Sequence, residues 1–205
     1  MKSSRPMLAA VALIATAQAL LSPVARASAE RHCVARLLST TSVESPKIVA
    51  CFDTFTAAAS FATDGRVQLD PNADRLAQVA QLDEALSAVQ LPPTAPPGSS
   101  GLGDSALNAT NGGEVVAGID FADWHYEGNS LWWTAPSGCT GASWAAASMP
   151  SGWNDIVSSA RGYSGCTTYL HYQHINYGGN VAFCTCYFIG STMNDQTSSE
   201  EFYSS

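Results

Sequence analysis

Asn154-Asp155-Ile156-Val157-Ser158-Ser159 returns 40 residues later as Asn194-Asp195-Gln196-Thr197-Ser198-Ser199. Both copies read Asn-Asp-x-x-Ser-Ser, and each is followed by an aromatic, Tyr163 in one case and Phe202 with Tyr203 in the other. A single copy would be read as turn chemistry, with Ser-Ser capping the next element. Two copies with four of six positions identical ask for more. Asn, Asp and Ser carry hard oxygen donors, which are the donors Ca²⁺ prefers.

The residues upstream repeat as well. Tyr172 is followed five residues later by Tyr177 and then by Gly179, and Phe121, Tyr126 and Gly128 share that spacing. This spacing describes a hairpin folded over so that two rings stack at its corner. The glycine there takes a backbone angle that a Cβ would resist. A repeat of roughly 40 residues implies two copies of one supersecondary unit, neither able to bury its apolar face alone.

On these residues the segment 117–205, a little under half of the chain, resembles the βγ-crystallin-like domains. Their Greek-key motif has this aromatic corner, and their Ca²⁺ motif is the phrase Asn/Asp-Asn/Asp-x-x-Ser/Thr-Ser. Secreted bacterial members include a group of small metalloproteinase inhibitors. The resemblance implies a mainly β, double Greek-key sandwich of about eight strands. It also implies a double clamp in which the two phrases exchange ligands, because one phrase cannot supply the roughly six to eight oxygens that Ca²⁺ takes. Carried over by position, Asp155 and Asp195 give carboxylates, and Ser158 and Ser198 give hydroxyls to the opposite motif. Asn154 and Asn194 shape the loops, and backbone carbonyls come from Ala122 and Gln173. The family often has Glu after the corner aromatic; Ala122 and Gln173 depart from that, but a carbonyl ligand does not depend on its side chain. One carboxylate per site implies weak binding, in the micromolar to millimolar range.

The N-terminal 1–29 reads as a secretory signal peptide. Lys2 and Arg5 precede an apolar run from Met7 to Leu21, too short to span a membrane, and Ala27-Ser28-Ala29 offers a cleavage site. Its removal takes away Lys2, Arg5 and Arg26 and no acidic group, so a net charge of −8 becomes −11. Phosphate backbones and anionic membranes repel such a chain, so neither nucleic acid nor membrane is an expected partner.

Residues 30–90 form a small mixed α/β region. His32 to Leu38 and Ile48 to Phe55 read as strands, and Thr56 to Ala62 as an Ala-rich helix. After Asp70-Pro71, Leu76, Val79, Leu82, Leu86 and Val89 fall on one helical face that needs a partner. Residues 91–113, rich in Pro, Gly and Ser, read as a linker, with a glycosylation acceptor pattern at Asn108-Ala109-Thr110. Residues 114–205 form the repeat domain. Within it the stretch from corner to phrase is 33 residues in the first copy and 22 in the second, so residues 138–152 are an insertion, with Trp144 and Pro150 in it.

Six cysteines in an exported chain read as disulfides, with a structural zinc site as the competing reading. Their split, Cys33 and Cys51 against Cys139, Cys166, Cys184 and Cys186, suggests that each segment closes its own bridges. Cys184 and Cys186 project from one face if extended, so each is expected to cross to Cys139 or Cys166. Adjacent Trp132 and Trp133 point to opposite faces, so one of them is expected to face outward or into a side cluster.

No nucleophile elbow, His-Glu-x-x-His helix or phosphate-cradling loop occurs. His171 and His174, three apart in a strand and turn, do not converge as helical zinc ligands would, and are expected at the surface with His125. Asp120, Asp123 and Glu127 near the first corner read as charge balance for a cation. The expected role is therefore non-enzymatic: a secreted, extracellular calcium-binding module. Inhibition of an extracellular metalloproteinase through the 138–152 loop, and polysaccharide or wall binding through an exposed Trp, are the alternatives.

Overall fold

The computed structural model describes residues 29–39, 45–89 and 114–205. The leader apart from Ala29, the 91–113 linker and the Asn108 acceptor lie outside the described residues. The chain is mainly β, as expected. In order it forms β1 His32–Arg36, β2 Leu38–Ser39, β3 Ile48–Phe52, helices α1 Phe55–Ala62 and α2 Arg75–Val89, then β4 Val115–Phe121, β5 Ser130–Ala135, β6 Trp144–Ala146, β7 Ser159–Gly162, β8 Thr168–His174, β9 Gly178–Phe183 and β10 Ser199–Tyr203.

These strands make two five-stranded sheets, β3-β1-β5-β4-β7 and β2-β6-β10-β8-β9. The two repeats exchange material. Strand β6 of the first repeat pairs with β10 in the second sheet, and Cys186, just after β9, bridges back to Ala160 on β7 in the first. The N-terminal segment has the expected mix of strands and helices, and its strands extend both sheets. Strand β1 runs parallel to β5, with His32 opposite Ser130 and Arg36 opposite Thr134, while β2 pairs with β6. Neighbours other than β1 and β5 are antiparallel.

Helix α1 starts at Thr54, whose side chain accepts from the Ala57 amide at 3.2 Å. Small residues let it lie flat: Ala58, Ala59 and Ala62 are fully buried against the first sheet. On α2, Val79 and Leu82 pack into the same layer, but Leu76 is 48 % exposed. Arg75 takes that place instead. Its guanidinium lies 4.4 Å over the Phe55 ring and donates to the carbonyls of Tyr126 and Gly128 at the first aromatic corner.

The first sheet is therefore covered on both faces. Leu131, Trp133 and Ala135 of β5 point between the sheets, beside Tyr169 and Phe202, while Trp132 points under the helices against Phe55 at 4.8 Å. Of the two places expected for one of Trp132 and Trp133, outward or in a side cluster, Trp132 takes the side cluster, and both have no exposed surface. They do point to opposite faces, but the N-terminal helices supply a second core for the outer one.

The cystines are Cys33–Cys51, Cys139–Cys166 and Cys184–Cys186. Each segment closes its own bridges, as expected, and no free thiol remains among the described residues for a zinc site. The crossing of Cys184 and Cys186 to Cys139 and Cys166 does not form. The chain bends at Thr185 rather than continuing β9. The Cys184 amide bonds the Tyr169 carbonyl on one sheet and the Cys186 amide bonds the Ala160 carbonyl on the other. The Cys184–Cys186 bridge thus spans the crossover between sheets instead of lying within one extended strand. Among the described residues no helix is long and apolar enough to cross a membrane.

Candidate metal centres

The two phrases lie side by side and hold one another. The Asp155 amide donates to the Thr197 carbonyl at 3.0 Å, and the Asp195 amide to the Val157 carbonyl at 3.1 Å. Ser158 Oγ donates to Asp195 Oδ1 at 3.2 Å, and Ser198 Oγ to Asp155 Oδ1 at 3.3 Å. Each Asn steadies its neighbour: Asn154 Nδ2 reaches Asp155 Oδ2 at 2.6 Å and Asn194 Nδ2 reaches Asp195 Oδ2 at 2.7 Å. Asp155 and Asp195 sit at φ 59° and 54°, a left-handed conformation that Asp tolerates better than most residues. Two carboxylates and two hydroxyls therefore form two related clusters at the meeting of the repeats. These are oxygen donors of the kind hard cations take.

The aromatic corners abut the phrases. Phe121 and Tyr126 rings lie 5.1 Å apart, and Tyr172 and Tyr177 rings 5.7 Å apart. Burial raises the pKa of both Tyr126 and Tyr177, so their phenols stay protonated. The Ser158 and Ser198 amides donate to the carbonyls of Phe121 and Tyr172, at 2.9 and 2.8 Å. The second serine of each phrase turns the other way. Ser159 Oγ accepts from the Tyr126 amide and donates to the Asp123 carbonyl; Ser199 Oγ accepts from the Tyr177 amide and donates to the His174 carbonyl. Ala122 thus lies between two residues whose carbonyls the first phrase already engages. Gln173 occupies the matching place and its side chain donates to Gln196 of the second phrase at 3.0 Å.

A second group is not legible as a site in the sequence. Asp120 of β4, His171 of β8 and Glu200 of β10 have no exposed surface and could hold a metal ion. His171 Nε2 lies 3.2 Å from Asp120 Oδ1 and 3.6 Å from Glu200 Oε1. Tyr169 Oη contacts Asp120 Oδ1 at 2.6 Å and Glu200 Oε2 at 2.9 Å, and Trp133 Nε1 donates to Asp120 Oδ2 at 2.6 Å. Burial, and then the charge of Asp120, pushes the Glu200 carboxyl well above the usual range, and burial beside these carboxylates does the same to the Tyr169 phenol.

This corrects two expectations. His171 is a core residue, because β8 alternates and Tyr169 and His171 both point between the sheets; His174 and His125 are exposed, as expected. Asp120 is not surface charge balance, since it too points into the sandwich, whereas Asp123 and Glu127 are exposed. The available signal is a lone Asp between Ile119 and Phe121 in an otherwise apolar strand.

The 138–152 insertion is largely tied down. Cys139 is bridged to Cys166, β6 places Ala145 and Ala146 in the interior, and Met149 and Pro150 are buried. Trp124 is the tryptophan most open to solvent, at 61 % exposed, and stacks on His125 at 5.2 Å. Set against known protein families, curated proteins and solved structures, the chain matches none.

Proposed function

We propose that this chain is a secreted, non-enzymatic calcium-binding module of the βγ-crystallin type, in which the two Asn-Asp-x-x-Ser-Ser phrases form a double clamp. The observation that carries the reading is reciprocity: Ser158 meets Asp195 and Ser198 meets Asp155 at nearly equal distances. Neither phrase completes a donor set alone. Calcium would draw on Asp155, Ser198, Asp195 and Ser158, with Asn154 and Asn194 steadying the carboxylates and the Ala122 and Gln173 carbonyls adding oxygen. The exchange of β6 and the Cys186 segment between repeats supports the double Greek-key reading, because it brings the phrases together. Calorimetric titration of the leaderless chain tests this. The expected result is heat in the micromolar to millimolar range and a higher melting temperature with Ca²⁺. No heat at millimolar Ca²⁺, with unchanged melting, refutes it.

One observation favours a second reading, polysaccharide binding. Trp124 presents an open face, backed by His125 and by Phe188 at 6.1 Å. Co-sedimentation with insoluble polysaccharide that is lost in Trp124→Ala supports it, and an empty pellet removes it. Metalloproteinase inhibition, the other alternative, is weakened by the buried state of much of the 138–152 insertion.

A further inference from the structure

Asp120 comes from the first sheet, and His171 and Glu200 come from the second. Their side chains meet midway with no exposed surface. Two carboxylates closed off from water with one imidazole between them leave excess negative charge, and burying charge without a partner is costly. The hydrogen bonds resolve it only in part: a proton on His171 Nε2 can serve Asp120 Oδ1 at 3.2 Å, which still leaves two carboxylates for the remaining donors. Tyr169 has one hydroxyl hydrogen for two carboxylates. Glu200 Oε1 has no hydrogen-bond partner at all. Oε1 faces His171 Nε2 at 3.6 Å. With its proton on Nδ1, His171 directs the Nε2 lone pair toward the same point as Asp120 Oδ1 and Glu200 Oε1.

The spacing fits a small tetrahedral ion. Metal–ligand bonds of about 2.0–2.1 Å place tetrahedral ligand atoms roughly 3.3–3.4 Å apart. The two His171 distances, 3.2 and 3.6 Å, bracket that edge, and the three donor atoms all lie within 4.8 Å of one another. An imidazole ligand and so few oxygens argue against Ca²⁺ or Mg²⁺, and the lack of sulfur argues against Cu⁺. Outer partners are in place: Trp133 Nε1 holds Asp120 Oδ2, and Tyr169 lies against Asp120 Oδ1 and Glu200 Oε2. Such bonds orient carboxylates toward a metal.

We propose that Asp120, His171 and Glu200 supply three ligands of a buried zinc site that ties the two sheets together. It is independent of the calcium clamp, whose carboxylates and hydroxyls lie in the loops between strands. Two carboxylates and Zn²⁺ sum to zero charge, which suits a closed interior.

Because the ligands have no exposed surface, the ion enters as the chain folds. The test is therefore refolding of the disulfide-intact full chain with Zn²⁺ alone or with chelator, followed by exhaustive dialysis. The expected result is one zinc per chain by elemental analysis, tetrahedral absorption bands when Co²⁺ replaces Zn²⁺, and a higher melting temperature for the loaded protein. In Glu200→Gln, which matches the shape of a protonated Glu200, zinc retention falls at least roughly tenfold, the lower end for losing even an outer-shell partner. The double variant Asp155→Asn/Asp195→Asn keeps its zinc, separating this site from the clamp. Protein that refolds free of zinc and melts identically with and without it overturns the proposal and leaves a proton-sharing polar core. Zinc retained in Glu200→Gln overturns the ligand assignment.

Discussion

Ser158 and Ser159 are neighbours in one phrase, and the structure gives them different work. Ser159 Oγ accepts from the Tyr126 amide at 3.1 Å and donates to the Asp123 carbonyl at 2.6 Å, and Ser159 is fully buried. Tyr126 sits at φ 67° after His125 at φ 59°, so this hydroxyl holds two successive left-handed residues in place. Such residues cost on the order of 1–3 kcal/mol each unless their surroundings hold them. Ser159→Ala removes both bonds and leaves a buried amide without an acceptor. An orphaned buried donor costs about 1–3 kcal/mol and the second bond about 0.5–1.5 kcal/mol, giving about 2–4 kcal/mol in all. For a chain of this size that is a fall in melting temperature of roughly 4–16 °C. Ser158 Oγ makes one longer bond, to a carboxylate that water also reaches, so Ser158→Ala in chelator should cost about 1 kcal/mol or less. Calcium should reverse the contrast. Ser159→Ala should keep most of its calcium-dependent gain in stability, and Ser158→Ala should lose much of it. Equilibrium urea unfolding with disulfides intact, with calcium and with chelator, measures all four values. A Ser159→Ala loss below about 0.5 kcal/mol, or a greater loss for Ser158→Ala in chelator, would refute this division of labour.

Acid should unfold the chain through His32. Burial, and then the charge of Arg75, lowers its pKa from 6.5 to about 4, while Ser130 Oγ, Glu30 and the Phe55 ring are its other close neighbours. Between those values the unfolded chain binds more protons. The stabilisation is therefore complete above about pH 6.5 and is lost as pH falls toward 4, worth about 2–3 kcal/mol. His32→Gln should flatten that limb in urea titrations at stepped pH, and an unchanged slope would show that another group drives it. The cystines should differ in worth because their loops differ. Cys139 and Cys166 are separated by 27 residues and Cys184 and Cys186 by 2, so removing the first pair should cost about 3–4 kcal/mol and the second about 1–2 kcal/mol. Equal losses would count against a loop-entropy origin.

The features legible in the chain are those that depend on local spacing. The aromatic corner needs two rings five positions apart and a glycine two further on, and Gly128 and Gly179 do take φ 72° and 78°. The phrases meet because the segments they follow are alike. The rest depends on pairings between distant residues. Strand β1 adds to β5 across 98 residues, His32 bonding Ser130, and no local pattern announces a parallel partner that far away. Without that pairing the helices have no place over the first sheet, and the cluster that buries Trp132 does not form. The Cys184–Cys186 bridge is hidden for a related reason. The apolar run from Val181 to Ile189 reads locally as extended backbone, but the chain has to leave one sheet for the other there.

The same topology explains why a polar group sits at the centre of a small sandwich. Facing sheets fill their core best with aliphatic and aromatic side chains, and this core has Trp133, Phe202 and Tyr169 in contact around it. An Asp, a His and a Glu among them are expensive unless satisfied. Each comes from a strand next to a phrase or a corner: Asp120 precedes Phe121, His171 precedes Tyr172, and Glu200 follows Ser199. The two-residue alternation that points the corner aromatics Phe121 and Tyr172 away from the space between the sheets therefore points Asp120 and His171 into it. The phrases at the loops and the polar core are thus coupled by register. A one-residue slip of β4 or β8 would expose the buried group and break the Ser158 and Ser198 amide bonds to Phe121 and Tyr172 together. Register is accordingly specified twice in these strands, once by the loop clamp and once from within.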